Sequence, residues 1–165
     1  MVITIDGPAG SGKSSTAQKI AQELGILYLD TGAMYRAITL KCLKNGISYT
    51  DTEGLKKLLD NTTIMFVGEV PQISVMLDNE DVTNEVRGED VSKSVSDYCS
   101  PLIVREAMVE KQRQIAGTRS IVSDGRDVGT VVFPDAEFKF FMVADVEERA
   151  RRRQKDYEDL GVHKS

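Results

Sequence analysis

The chain of 165 residues holds two cysteines, Cys42 and Cys99, and one histidine, His163, with no CxxC or Cys/His spacing. A zinc site and a disulfide framework are therefore not indicated, and the thiols fit a reducing compartment. No window of about 18 apolar residues occurs, and no basic stretch precedes an apolar run at the N-terminus, so the expectation is a soluble, cytoplasmic protein. Nor is there an excess of positive charge. Twenty-one Lys and Arg stand against 26 Asp and Glu, a net charge of -5 that is poor electrostatics for duplex nucleic acid or an anionic membrane. An anionic ligand must then be small and locally bound. With 41% hydrophobic and 28% charged residues, the composition is that of one ordinary globular core.

What the chain does have is an alternation of strand and helix patterns. Residues 2 to 6 form a short apolar, β-branched run of the kind buried on both faces of a parallel sheet. From Gly12 to Leu24, Ala17, Ile20, Ala21 and Leu24 fall at helical spacing and Gly25 ends the helix. Ile26 to Asp30 reads as a second strand, followed by a helix through Met34, Ala37 and Ile38 that Asn45-Gly46 closes. The middle differs. Thr50-x-x-Glu53 reads as a capping box, Thr62 to Val67 and Gln72 to Leu77 as strands joined by a hairpin, and Val82 to Val86 as a third strand. Two helices come next, through Val91, Val95 and Tyr98 and then from Ser100-Pro101 to Gly117. Ser120 to Asp124 and Phe138 to Val143 resume the sheet, and Asp145-x-x-Glu148 caps an Arg-rich last helix. The fold class expected is α/β: a parallel sheet with helices on both faces and a small antiparallel β insert. The expected division is a core of residues 1–59 and 88–145, an insert over about 60–87, and a partial lid helix over 146–165.

The strongest chemical signal is Gly7-Pro8-Ala9-Gly10-Ser11-Gly12-Lys13-Ser14, which fits G-x-x-x-x-G-K-[ST] between a predicted strand and a predicted helix. Glycines let backbone N–H groups curl around a phosphate at a helix N-terminus. Lys13 is then placed between β- and γ-phosphates, and the Ser14 hydroxyl is a ligand for Mg²⁺. No N-K-x-D guanine-reading segment occurs, which disfavours a GTPase switch.

In a doubly wound sheet the end of the second strand, Asp30-Thr31-Gly32-Ala33-Met34-Tyr35-Arg36, opens into the same crevice. Arg36 is thereby a candidate for a second phosphate, with a solvated surface Arg as the bland alternative. In Ser123-Asp124-Gly125-Arg126-Asp127-Val128-Gly129-Thr130-Val131-Val132-Phe133-Pro134 two carboxylates surround an Arg after an apolar strand. Asp124 stands where a Walker B carboxylate would orient metal-bound water near Ser14; a turn cap is its alternative.

On these segments, together with Val104-Arg105-Glu106, the sequence resembles the bacterial-type cytidylate (CMP) kinases, relatives of adenylate kinase among the P-loop nucleoside monophosphate kinases. The resemblance implies transfer of the ATP γ-phosphoryl group to CMP, and to dCMP, giving ADP and CDP or dCDP, with Mg²⁺ as cofactor. It implies ATP contacts from Gly7, Pro8, Ala9, Gly10, Ser11, Gly12, Lys13, Ser14, Ser15 and Arg149, and metal contacts from Ser14 and Asp124. It implies CMP contacts from Arg36, Ser96, Arg105, Asp124, Gly125, Arg126 and Asp127, and catalytic roles for Lys13, Arg36 and Arg153. Cytosine presents an N4 amino donor beside the N3 and O2 acceptors, so a carboxylate such as Asp127 with nearby donors suits it, whereas uracil would set a carbonyl against Asp127. Small nucleotides, no nucleic acid, no membrane and a monomer are the expected partners and state. The family continues past Ser165 through a ribose-contacting segment, a further strand and a helix, so exposed apolar surface is expected here. Another small-molecule P-loop kinase, for instance of shikimate, and a non-catalytic nucleotide-binding module remain as rival readings.

Overall fold

The structure is a computed structural model describing residues 1–159, with the side chains of Arg153, Asp156, Tyr157 and Asp159 excepted. Four strands, β1 (Val2–Asp6), β2 (Leu27–Asp30), β6 (Ile121–Gly125) and β7 (Phe138–Phe141), form a parallel sheet in the order β2-β6-β1-β7. Such a sheet needs cover on both faces, and the side chains divide accordingly. On β2, Tyr28 enters a cluster with Ile3, Ile5, Val122, Ala17 and Ala21, while its neighbour Leu29 enters the larger cluster on the opposite face. The first face is covered by α1 (Lys13–Leu24). The second is covered by α2 (Thr31–Asn45), α3 (Thr52–Asp60), α4 (Glu89–Tyr98) and α5 (Leu102–Ala116).

Between α3 and α4 the chain makes the antiparallel sheet β3 (Ile64–Glu69), β4 (Gln72–Leu77) and β5 (Glu80–Asp81). Glu69 pairs with Gln72, so the hairpin loop is Val70-Pro71 alone and Gly68 lies within the strand. The third strand is not Val82 to Val86 as the β-branched residues suggest. The strand ends at Asp81, with one further backbone bond from the Val82 amide to the Val75 carbonyl; the Asp81 carboxylate then accepts from the Thr83 amide and hydroxyl, and Glu85–Arg87 is one 3₁₀ turn. Val82 and Val86 are buried because that turn presses them into the main cluster beside Ile64, Val75 and Leu77. The small sheet therefore shares the core of the large one.

Two caps also differ from expectation. Asp51, not Thr50, caps α3, accepting from the Gly54 amide at 2.9 Å, because its carboxylate reaches the first free N–H that Thr50 stands one residue short of. At the start of α6 (Val146–Asp159), Glu148 faces Arg151 and Arg152 rather than turning back to close a capping box. Finally, β7 ends at Phe141, and every residue in it is exposed, Phe140 by 55% and Phe141 by 70%.

Candidate active site

The carboxyl ends of β1 and β6 meet the loop before α1. Gly7, Gly10 and Gly12 all adopt positive φ, at 154°, 75° and 93°. At Gly7 space matters as much as conformation, since a Cβ would lie 2.2 Å from the Met142 carbonyl. The Gly7 amide donates to the Gly125 carbonyl, tying the loop to the end of β6. Lys13 curls over the loop and donates to the Pro8 carbonyl at 2.9 Å. Burial pulls its ammonium below the ordinary lysine value, Arg126 pushes the same way, and Asp124, Asp6 and Asp30 oppose them. Lys13 begins the helix, and the exposed Ser14 and Ser15 follow it in the first turn.

Asp124 is the most buried carboxylate of the site, 4% exposed. Its two oxygens accept from the Ser14 hydroxyl and the Tyr28 hydroxyl, each at 2.8 Å, and its carbonyl accepts from the Thr31 hydroxyl at 2.7 Å. Burial raises its pKa to about 6, with Asp30, its register partner on β2, adding to the rise and the two hydroxyl bonds and Lys13 opposing it. Asp30 itself caps α2 by accepting from the Ala33 amide at 2.9 Å. A cap reading therefore fits Asp30, while Asp124 points at Ser14. Tyr28 was not legible as a site residue, although a Tyr inside an otherwise apolar strand needs a hydroxyl partner, and that is the signal it offered.

A hydroxyl and a carboxylate side by side beneath a phosphate loop form an oxygen donor set suited to Mg²⁺, which is held by one or two protein oxygens plus phosphate oxygens. Among the described residues no cluster of three or more His, Cys, Asp or Glu side chains could hold a metal unaided.

Across the crevice a cleft of 710 Å³ is lined by residues that include Tyr35, Arg105, Glu106, Arg113 and Asp127, a volume in the range of small-ligand sites. Asp127 accepts from Arg105 at 2.5 Å, so the partner of this carboxylate lies on α5 rather than being the adjacent Arg126. Burial lifts the thiol pKa of the half-buried Cys99 to about 11, and the positive charges of Arg105, Arg126 and Arg36 oppose that rise. Arg126 also opposes the charge of Lys13, so its guanidinium bears on both groups. Gly125 joins the two aspartates with no room for a side chain, its Cβ position lying 2.7 Å from the Thr31 hydroxyl. Ser96 lies exposed on α4.

Over the phosphate loop, the start of α6 comes so close that a Cβ on Gly10 would sit 3.0 Å from the Arg149 carbonyl. The Arg149 side chain donates to the Ala144 carbonyl at 3.2 Å, and a second cleft of 440 Å³ is lined by Gly7, Pro8, Arg126 and Arg149. Arg152 reaches the Gly10 carbonyl at 3.4 Å. It is a loop-facing arginine that the sequence pattern did not single out, because four Arg within five positions look alike on paper. The Arg153 side chain and His163 lie outside the described residues.

The family model described as cytidylate kinase matches residues 3–165. A cytidylate kinase of Chloroherpeton thalassium is 51% identical over 93% of this chain and 65% of its own length. One from Caldanaerobacter subterraneus subsp. tengcongensis is 51% identical over 97% and 70%, and one from Halalkalibacterium halodurans 49% identical over 100% and 74%. The chain thus spans about two thirds to three quarters of the length of these curated relatives. A glycine loop with Lys13 and Ser14 beside Asp124, a parallel sheet carrying a small antiparallel one, and a match across nearly all of its residues agree: the chain belongs to the cytidylate kinase family.

Proposed function

We propose that this chain carries the ATP and CMP sites of an enzyme that moves the γ-phosphoryl group of ATP to CMP or dCMP. An oxygen of the acceptor phosphate attacks the γ-phosphorus, the bond to the β,γ-bridging oxygen breaks, and ADP leaves. The acceptor is already anionic at neutral pH, so positioning and charge stabilisation carry the rate rather than a strong base. Gly7 to Ser15 cradle the donor phosphates, and Lys13 stands between the β- and γ-groups. Ser14 and Asp124 would hold Mg²⁺, which when bound neutralises and orients the phosphate oxygens. Arg36 takes the CMP phosphate, and Ser96, Arg105, Arg126 and Asp127 surround the base. Arg149 and Arg153 serve the donor from the partial lid, residues 146–165.

The observation that supports this reading most is a pair of unlike groupings whose carboxylates stand three residues apart on one strand-to-turn segment. Ser14 and Asp124, 2.8 Å apart, form one, and the Arg105–Asp127 pair forms the other, with Arg126 acting between. The small sheet is read as the acceptor-side insert, approximately residues 60–87, on a core of 1–59 and 88–145. Among the described residues no helix is long and apolar enough to cross a membrane; a cytoplasmic monomer acting on small nucleotides is the proposed setting. Incubation with ATP, Mg²⁺ and each nucleoside monophosphate, with products separated by ion exchange, tests the reading. ADP and CDP should form together, with CMP used in preference to UMP; equal use of UMP, or ATP loss without CDP, would reject it.

A further inference from the structure

Asp127 is 36% exposed and has its ion pair with Arg105 as its side-chain anchor, too little to hold a specificity-determining carboxylate still. The backbone that follows it is held far more firmly. Residues Val128–Val132 form a short wide helical turn, and both of its ends are gripped from other elements. At the leading end Asp6, the last residue of β1, accepts from two successive amides: Val128 N–H reaches Oδ1 and Gly129 N–H reaches Oδ2, each at 2.8 Å. All three residues are buried. At the trailing end Arg113 donates Nε to the Val132 carbonyl and Nη2 to the Val131 carbonyl, again at 2.8 Å. Gly129 shows how tight the grip is, because a Cβ there would lie 2.6 Å from the Thr4 hydroxyl and 3.2 Å from the Asp6 carboxylate.

We propose that Asp6 and Arg113 are positioning residues for base selection, a two-sided clamp that sets where Asp127 stands. The inference rests on the reading of Asp127 as the group that meets the base. A carboxylate has two acceptor oxygens for two amides, and a guanidinium has a fixed fork of donors for two carbonyls, so each match has a geometry that a neutral or single-donor side chain lacks. Arg113 and Arg105 lie on the same helix, so α5 supplies both the partner of Asp127 and one jaw of the clamp. Asp6 adjoins Gly7, so the other jaw is continuous with the phosphate loop. A shift of the turn therefore moves the base-reading carboxylate relative to the phosphate groups, and errors of about 1 Å in such placements cost up to about 10²-fold.

The test is calorimetric binding of CMP, UMP and MgATP to the full chain, to Asp6→Asn and to Arg113→Lys. The ratio of CMP to UMP affinity should fall by about 10-fold in Asp6→Asn, where one amide loses its acceptor, and severalfold in Arg113→Lys. MgATP affinity should stay within about twofold in Arg113→Lys, whose change lies away from the phosphate loop. Variants that melt lower but keep the parental ratio would show a merely structural role and overturn the inference while leaving the base reading intact. A parent without preference for CMP would overturn that reading and this inference with it. Should neither variant fold, amide hydrogen exchange in the parent decides. Slowing at Val128 and Gly129 by CMP beyond that by UMP supports the clamp, and equal or no slowing rejects it.

Discussion

Asp124 and Asp127 stand three residues apart on one strand-to-turn segment, yet one is 4% exposed between two hydroxyls and the other is 36% exposed against a single guanidinium. The difference matches what each half of the crevice must do. On the phosphate side, charges act strongly because burial lowers the local dielectric, and the groups are already placed before a ligand arrives. On the proposed acceptor side the side chains stay open to solvent, and order is supplied by the backbone behind them. The first wall carries its cost in the ionised Asp124, the second in a carboxylate whose position depends on distant residues.

The largest test of this contrast is Lys13→Ala. Turnover of CMP with ATP should fall about 10²- to 10³-fold, as when a preorganised charge-stabilising group is removed. The melting temperature should barely move, since this ammonium donates to the Pro8 carbonyl of its own loop. Unchanged turnover would remove the phosphate wall from the mechanism.

Asp124→Asn tests the cost of the buried charge. A carboxyl raised from 3.8 to about 6 by folding is penalised once ionised, so stability from this group is full below about pH 4 and is lost as pH rises through 6. In metal-free buffer at pH 7.5 the Asn variant should therefore be more stable, by up to about 3 kcal/mol. The advantage should shrink as pH falls from 6 to 4, while MgATP binding is lost. Denaturant melts across that range check the sign, and a variant less stable than the parent at pH 7.5 would contradict it.

Asp127→Ala should act on selection rather than stability. Its preference for CMP over UMP should drop about 10-fold, with a stability change under about 1 kcal/mol for so exposed an ion pair. Retention of the preference in competition assays would move the base reader elsewhere. The smallest effect is expected far from either wall. Phe140→Thr on the exposed edge strand should change stability by less than about 0.5 kcal/mol yet reduce light scattering on heating, because it breaks an apolar strand edge. A large loss of stability would mean that Phe140 packs in solution.

Much of this is legible in the sequence. Strand, glycine loop and helix follow from local pattern at Val2 to Leu24, and the parallel sheet follows from short apolar runs alternating with helical ones. The hairpin and its place in the chain were also readable. The third strand was not, because β-branched Val82 and Val86 carry strand propensity that tertiary packing overrode. Among site residues, the motif positions Ser14 and Asp124 bond to each other, Lys13 curls over the loop it belongs to, and Asp127 finds Arg105. Asp6, Tyr28, Arg113 and Arg152 stayed hidden, since an acid ending a strand, a Tyr in a core, and one Arg among several each have ordinary explanations.

By itself the sequence determined which segments fold as strand or helix and which loop can receive a phosphate, because periodicity, capping and glycine placement act within a few residues of one another. Tertiary structure alone decided that Asp6 meets Val128 and Gly129, and that Tyr28 and Ser14 share Asp124. Those bonds span about a hundred residues or more and exist only once β1, β2 and β6 lie in register, a geometric condition that no local pattern encodes.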